Sequence, residues 1–168
     1  MRIFKPEIWF LSIGVSMSEK EKIPTIGGVQ QESDPTELAW AFPDVLPGQA
    51  PLGGRVIVQL RRIKKNAGKI ILVEETKENE KWNNMIGRVV AIGPLAYRNR
   101  DTMQVWPEGS WAEIGDYVRV PRWGGDRWER PVLNEENGDL NPVLFMTIND
   151  HEVIAKVTDD PLSFKAYV

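Results

Sequence analysis

The chain has 168 residues, of which 42% are hydrophobic and 27% charged, with a formal net charge of −3 and a single histidine. That length holds one domain with extensions or two small ones, and the composition is that of a folded chain. The acid excess argues against a general polyanion binder, and the absence of cysteine excludes disulfides, thiolate metal sites and cysteine nucleophiles.

At the N-terminus, residues 8–15 form the longest apolar stretch, well short of the roughly 20 residues that span a membrane as a helix. Arg2 and Lys5 ahead of it resemble the start of a signal peptide, but Glu7 interrupts the pattern and no clean small-x-small site follows. Met17-Ser18-Glu19-Lys20 reads as an ordinary cytoplasmic N-terminus, so Met17 is an alternative start and residues 1–16 are either untranslated or an apolar arm. Residues 1–50 have few regular runs and are rich in Pro and Gly. One short helix is expected there. Asp34 caps it, Pro35 suits its first position, Glu37 completes a capping box before Leu38, Trp40 and Phe42, and Pro43 stops it. The region reads as an arm or linker lying on a partner surface or on the domain that follows.

From residue 52 the pattern turns to strands. Arg55-Val56-Ile57-Val58-Gln59-Leu60 follows Gly53-Gly54, and Arg88-Val89-Val90-Ala91-Ile92 lies between Gly87 and Gly93. Tyr117-Val118-Arg119-Val120 follows Gly115-Asp116 and stops at Pro121. Val143-Leu144-Phe145-Met146-Thr147-Ile148 follows Asn141-Pro142, and Val153-Ile154-Ala155-Lys156-Val157 closes the set. Short strands bounded by Gly, Pro, Asn and Asp predict a small all-β barrel or sandwich.

Two long segments interrupt these strands, about 64–85 and 94–114. Loops of such length inside a compact domain are usually functional or disordered. The first holds Gly68-Lys69-Ile70-Ile71-Leu72-Val73 between Lys64-Lys65-Asn66 and a charged run from Glu74 to Lys81. An aliphatic knot in a polar run builds a core poorly but suits a short linear binding motif. Ile-Ile-Leu-Val is also strong strand material, so a plain buried or edge strand is the competing reading of this stretch.

The motifs together resemble the GroES co-chaperonin family. Pro51-Leu52-Gly53-Gly54-Arg55-Val56-Ile57-Val58 is similar to its opening strand, and Ala67-Gly68-Lys69-Ile70-Ile71-Leu72 to the core of its mobile loop. Gly87-Arg88-Val89-Val90-Ala91-Ile92-Gly93, Gly115-Asp116-Tyr117-Val118 and the stretch from Val143 to Val157 follow in the family's order. The expected architecture is an all-β GroES-like barrel over 51–158, with an N-terminal arm (1–50), a mobile loop, an elaborated roof region (94–114) and a C-terminal tail (159–168).

The resemblance implies a capping subunit without catalytic residues, metal or cofactor, in a cytoplasmic heptameric ring. Gly68, Lys69, Ile70, Ile71 and Leu72 would dock onto an ATP-bound chaperonin ring. Val153, Ile154, Ala155 and Val157 would pair with Arg55, Val56, Ile57 and Val58 of a neighbouring subunit, covering strand edges. The chain departs from the family at Gly54, where Asp is usual, in the long 94–114 and 121–142 segments, and in residues 1–50. These elaborations resemble virus-encoded members, which would act in the host cytoplasm. The alternative is a virion structural protein on the same barrel, its arm clamping neighbours.

Other constellations have plainer readings. Arg119, Arg122, Arg127 and Arg130 alternate with Tyr117, Trp123 and Trp128, a pattern that on some small barrels stacks bases. In an acidic chain, arginines stacked on rings or paired with Asp126 and Glu129 are the simpler account, which leaves nucleic acid a remote partner. Asn134-Glu135-Glu136-Asn137-Gly138-Asp139 misses calcium-loop spacing and reads as a hairpin tip. His151 beside Asp150 lacks a nucleophile or second ligand and reads as a surface turn residue. GroES-like barrels inside zinc alcohol dehydrogenases need Cys and His ligands and a dinucleotide domain, which this sequence lacks.

Overall fold

The computed structural model describes residues 33–62, 66–67, 70–71, 83–133 and 140–164. The apolar stretch at 8–15, Met17 and the Asn137-Gly138 tip lie outside these. Among the described residues no helix is long and apolar enough to cross a membrane.

The predicted helix forms as α1, Pro35–Ala41. The Asp34 side chain accepts the Thr36 N–H at 2.8 Å, and Pro35 stands in the first turn, where its missing N–H costs nothing. The Phe42 N–H returns to Leu38 O at 2.9 Å, and Pro43 follows. Strands come next: β1 Arg55–Leu60, β2 Asn66–Ala67, β3 Ile70–Ile71, β4 Ile86–Ile92, β5 Tyr117–Arg119, β6 Asp126–Arg130, β7 Val143–Asn149 and β8 Ala155–Lys156. The 3-10 turn Asp150–Glu152 separates β7 from β8. The chain is all-β apart from α1, as the sequence predicts.

Six strands make one antiparallel sheet in the order β6-β7-β1-β4-β5-β8, while β2 and β3 pair separately. β5 and β6 are far apart in that order, yet residues 120–125 alone connect them. The sheet is therefore rolled around one interior. Val56, Val58 and Leu60 of β1, Val89 of β4, Val118 of β5 and Leu144, Met146 and Ile148 of β7 fill it, with Val120, Ala96, Tyr97 and Ala112. Alternation on a pleated strand places these residues on one face.

The opposite face is buried as well. Ile57, Val143 and Phe145 pack with Val45, Val90, Ala91, Trp128 and Val132. Val90 and Ala91, although adjacent, share this cluster because the β1–β4 register shifts between Ile57 and Val58, as at a β-bulge. The cover is the segment after α1. The Gln59 Nε2 donates to Pro43 O at 2.7 Å and the Trp128 indole N–H to Pro47 O at 3.0 Å. Residues 42–48 thus lie across the sheet, and Ala41 and Phe42 form a third cluster with Ile86, Leu38, Tyr117, Val157 and Leu162. Ser33 Oγ also bonds Asp160.

β6 is the strand that sequence patterning misses, because Asp126-Arg127-Trp128-Glu129-Arg130 carries no aliphatic alternation. Its place comes from the ladder with β7 and from the Trp128 ring stacked on Phe145, centroids 5.7 Å apart.

β1 lies inside the sheet, between β7 and β4. Arg55, Val56, Ile57 and Val58 pair with β7, and Val56, Ile57 and Val58 also pair with β4. Both edges of this strand are filled within the chain. Burial of every residue from Val56 to Leu60 is the mark of a central strand. The segment from Val153 to Val157 contributes β8, which pairs with β5 of its own chain: Val118 faces Lys156 and Arg119 faces Ala155.

Candidate functional site

The strongest feature is the excursion between β1 and β4. Its two feet are tied together. Arg61 N–H donates to Ile86 O at 3.0 Å, and the buried Asn84 side chain donates through Nδ2 to Arg61 O at 2.6 Å. Asn84 Oδ1 accepts the Ile86 N–H at 3.2 Å. The outgoing foot is also fixed from outside. Arg62 N–H reaches Ala41 O at 3.0 Å, its Nη2 reaches Asn141 O at 2.8 Å, and Arg61 Nη1 reaches Pro161 O and Leu162 O at 3.0 and 3.2 Å. At the returning foot, Arg122 Nε donates to Asn83 Oδ1 at 2.9 Å. A loop leaving so braced a platform has defined ends whatever its tip does.

Within the excursion, β2 and β3 form a minimal hairpin, with Asn66 opposite Ile71 and Ala67 opposite Ile70. Of the residues singled out from sequence, Ile70 and Ile71 are in β3; Gly68, Lys69 and Leu72 lie outside the described residues. β3 is no member of the six-stranded sheet.

Residues 94–114 are held to the barrel by the burial of Ala96, Tyr97 and Ala112, by the Leu95 N–H donating to Gly53 O at 2.9 Å, and by a carboxylate. Asp150, 4% exposed, accepts the Tyr97 N–H through Oδ2 at 2.7 Å, and through Oδ1 accepts Arg100 Nη2 at 2.9 Å and the His151 N–H at 3.0 Å. Its own N–H donates to Gly54 O at 2.9 Å. A Cβ on residue 54 would run into the Arg100 guanidinium. Gly54 is therefore the partner of this clamp, and an acid from the β7–β8 turn supplies the negative charge that residue 54 lacks. Tyr97 adopts φ 58°, a left-handed conformation uncommon for a side chain of its size. Its ring packs on Trp111 with centroids 5.7 Å apart. Burial, then the Asp150 and Asp116 charges, push its phenol up to about 12.

Chemistry finds little purchase here. Asp150's oxygens are engaged in structural bonds, and the His151 side chain is largely exposed. Among the described residues no three His, Cys, Asp or Glu side chains group as a metal site.

The arginine–aromatic series is divided by the fold. Tyr117 packs on Phe42 with centroids 4.9 Å apart, and Trp128 packs on Phe145. Arg127 Nη2 turns back to Arg122 O at 2.9 Å. Trp123 is 77% exposed, with the Arg122 guanidinium 5.2 Å from its ring centre. Among the described residues, Tyr117, Trp123 and Trp128 form no platform of successive rings.

Residues 49–157, well over half of the chain, match the family model Cpn10, the chaperonin 10 Kd subunit. No curated protein matches the chain at a significant level.

Proposed function

We infer, from the premise that this chain belongs to the Cpn10 family of chaperonin 10 Kd subunits, that it caps an ATP-bound chaperonin ring through the loop carrying Ile70, Ile71 and Leu72. A general co-chaperonin role, with a chaperonin as partner and a ring as assembly, follows from the family. The finer reading concerns the loop, the ATP dependence, a heptameric ring and action in a cytoplasm (that of a host, if the chain is viral). The observation that supports it is the placement of Ile70–Ile71 in a hairpin of its own, outside the six-stranded sheet and between braced feet.

The energetics suit reversible capping. Burying a large aliphatic side chain stabilises by about 1.5–3 kcal/mol, and fixing each loop residue costs about 1–2 kcal/mol. One loop therefore binds weakly, and several copies on one ring bind tightly through effective concentration. The capping subunit performs no bond chemistry; ATP turnover belongs to the partner.

The test is the triple variant Ile70→Ser, Ile71→Ser, Leu72→Ser. Co-sedimentation with a purified bacterial chaperonin and ATP should fall by about 100-fold or more, since the loss repeats in every subunit. Circular dichroism should remain that of the wild type. Undiminished co-sedimentation rejects the docking role.

A further inference from the structure

We propose that the turn joining β5 to β6, led by Trp123, is a second and rigid contact for the chaperonin that receives the Ile70–Leu72 loop. This deepens the docking reading above and rests on it. A tryptophan 77% exposed on a domain whose other strand-borne rings are packed away is a candidate for burial by a partner.

Its position identifies the partner. Arg122 stacks over the Trp123 ring and, through Nε, bonds Asn83 Oδ1 at 2.9 Å. Asn83 is the returning foot of the loop excursion and is itself 8% exposed. Trp123 thus stands where the docking loop rejoins the barrel, and a surface engaged by that loop comes close to it. The Arg122–Trp123 pair belongs to the residue types that dominate interface energies.

Rigidity distinguishes this contact from the loop. Arg127 Nη2 donates to Pro121 O at 3.4 Å and Arg122 O at 2.9 Å, closing the turn from inside. Gly125 has φ 66°, and a Cβ there would lie 2.7 Å from Thr147 O, so the turn seats directly on β7. The backbone that carries the ring is anchored before any partner arrives, so less ordering is needed on binding than for the loop. Base stacking is the weaker account, because Tyr117 and Trp128 are packed elsewhere and leave one ring where single-strand binders use several.

The experiment compares Trp123→Ser, Trp123→Phe and the triple Ser loop variant for binding to a purified bacterial chaperonin with ATP. Circular dichroism and native mass first establish that each is folded and assembled. Trp123→Ser should weaken binding by about tenfold or more, amplified by the number of subunits, while Trp123→Phe stays near wild type. Wild-type binding by Trp123→Ser, alongside loss in the loop variant, overturns the second contact and leaves the loop reading standing. Wild-type binding by the loop variant overturns both. If Trp123→Ser binds normally but yields less refolded client, the turn faces the enclosed chain, and the proposal is equally overturned.

Discussion

Asp150 decides how residues 94–114 meet the barrel. One buried carboxylate holds a backbone N–H from Tyr97, a guanidinium from Arg100 and the N–H of His151, and its backbone holds Gly54 O. Asp150→Ala leaves the buried Tyr97 N–H without an acceptor and Arg100 without its ion pair. The expected cost is about 1.5–3 kcal/mol, the range for a hydrogen bond to a charged group. It is read as a lower denaturant midpoint in chemical unfolding. An unchanged midpoint would show that the acid is dispensable and that other contacts hold the segment. Nothing in the sequence marks this role: Asn149-Asp150-His151 reads as a polar turn, and the glycine at 54 reads only as a missing acid. The link between them spans nearly the whole domain in sequence.

At the scale of elements, the segment following α1 is the instructive case. Its helix is legible residue by residue, from the Asp34 cap to the Pro43 stop. Its destination is not. Gln59 is 0% exposed in the middle of β1, and this is tolerated because Pro43 O accepts from its Nε2 and Arg88 Nη2 donates to its Oε1 at 3.0 Å. Phe42 and Val45 complete two apolar clusters. Removal of residues 1–48 should therefore destabilise the sheet by about 3–6 kcal/mol, the burial of roughly two large apolar side chains. Thermal unfolding of the truncated chain checks this. A truncated chain as stable as the intact one would make the segment a detachable arm.

For the molecule as a whole, β8 is where we place contact between subunits. Within the chain, Ile154 N–H donates to Arg119 O and Val157 N–H to Tyr117 O, at 2.9 and 2.8 Å. Lys156 Nζ pairs with Asp116 Oδ2 at 2.7 Å. These bonds occupy one side of β8, which ends the sheet. Among the described residues its other side is an edge of the kind that another chain extends, and Ile154, the residue before it, is 56% exposed. Native mass spectrometry should show the wild type as a ring. Ile154→Glu should shift it toward the single-chain mass of 19.1 kDa. A ring that survives this change intact would move the interface elsewhere.

Strands β1, β4, β5, β7 and β8, the short helix and the aliphatic patch of the excursion were legible locally, because β-branched runs between Gly and Pro, a capping residue and a greasy patch among charges are all local signals. The sequence also carried the family, through short motifs in a fixed order. Closure of the sheet, and no local signal, makes β1 central and Asp126–Arg130 a strand, lays residues 42–48 across the sheet and leaves Trp123 outside. Each of these depends on which surfaces meet after the sheet rolls up. Pairing partners, burial and the acceptor of a distant N–H are properties of that closed arrangement, and no local stretch of residues contains them.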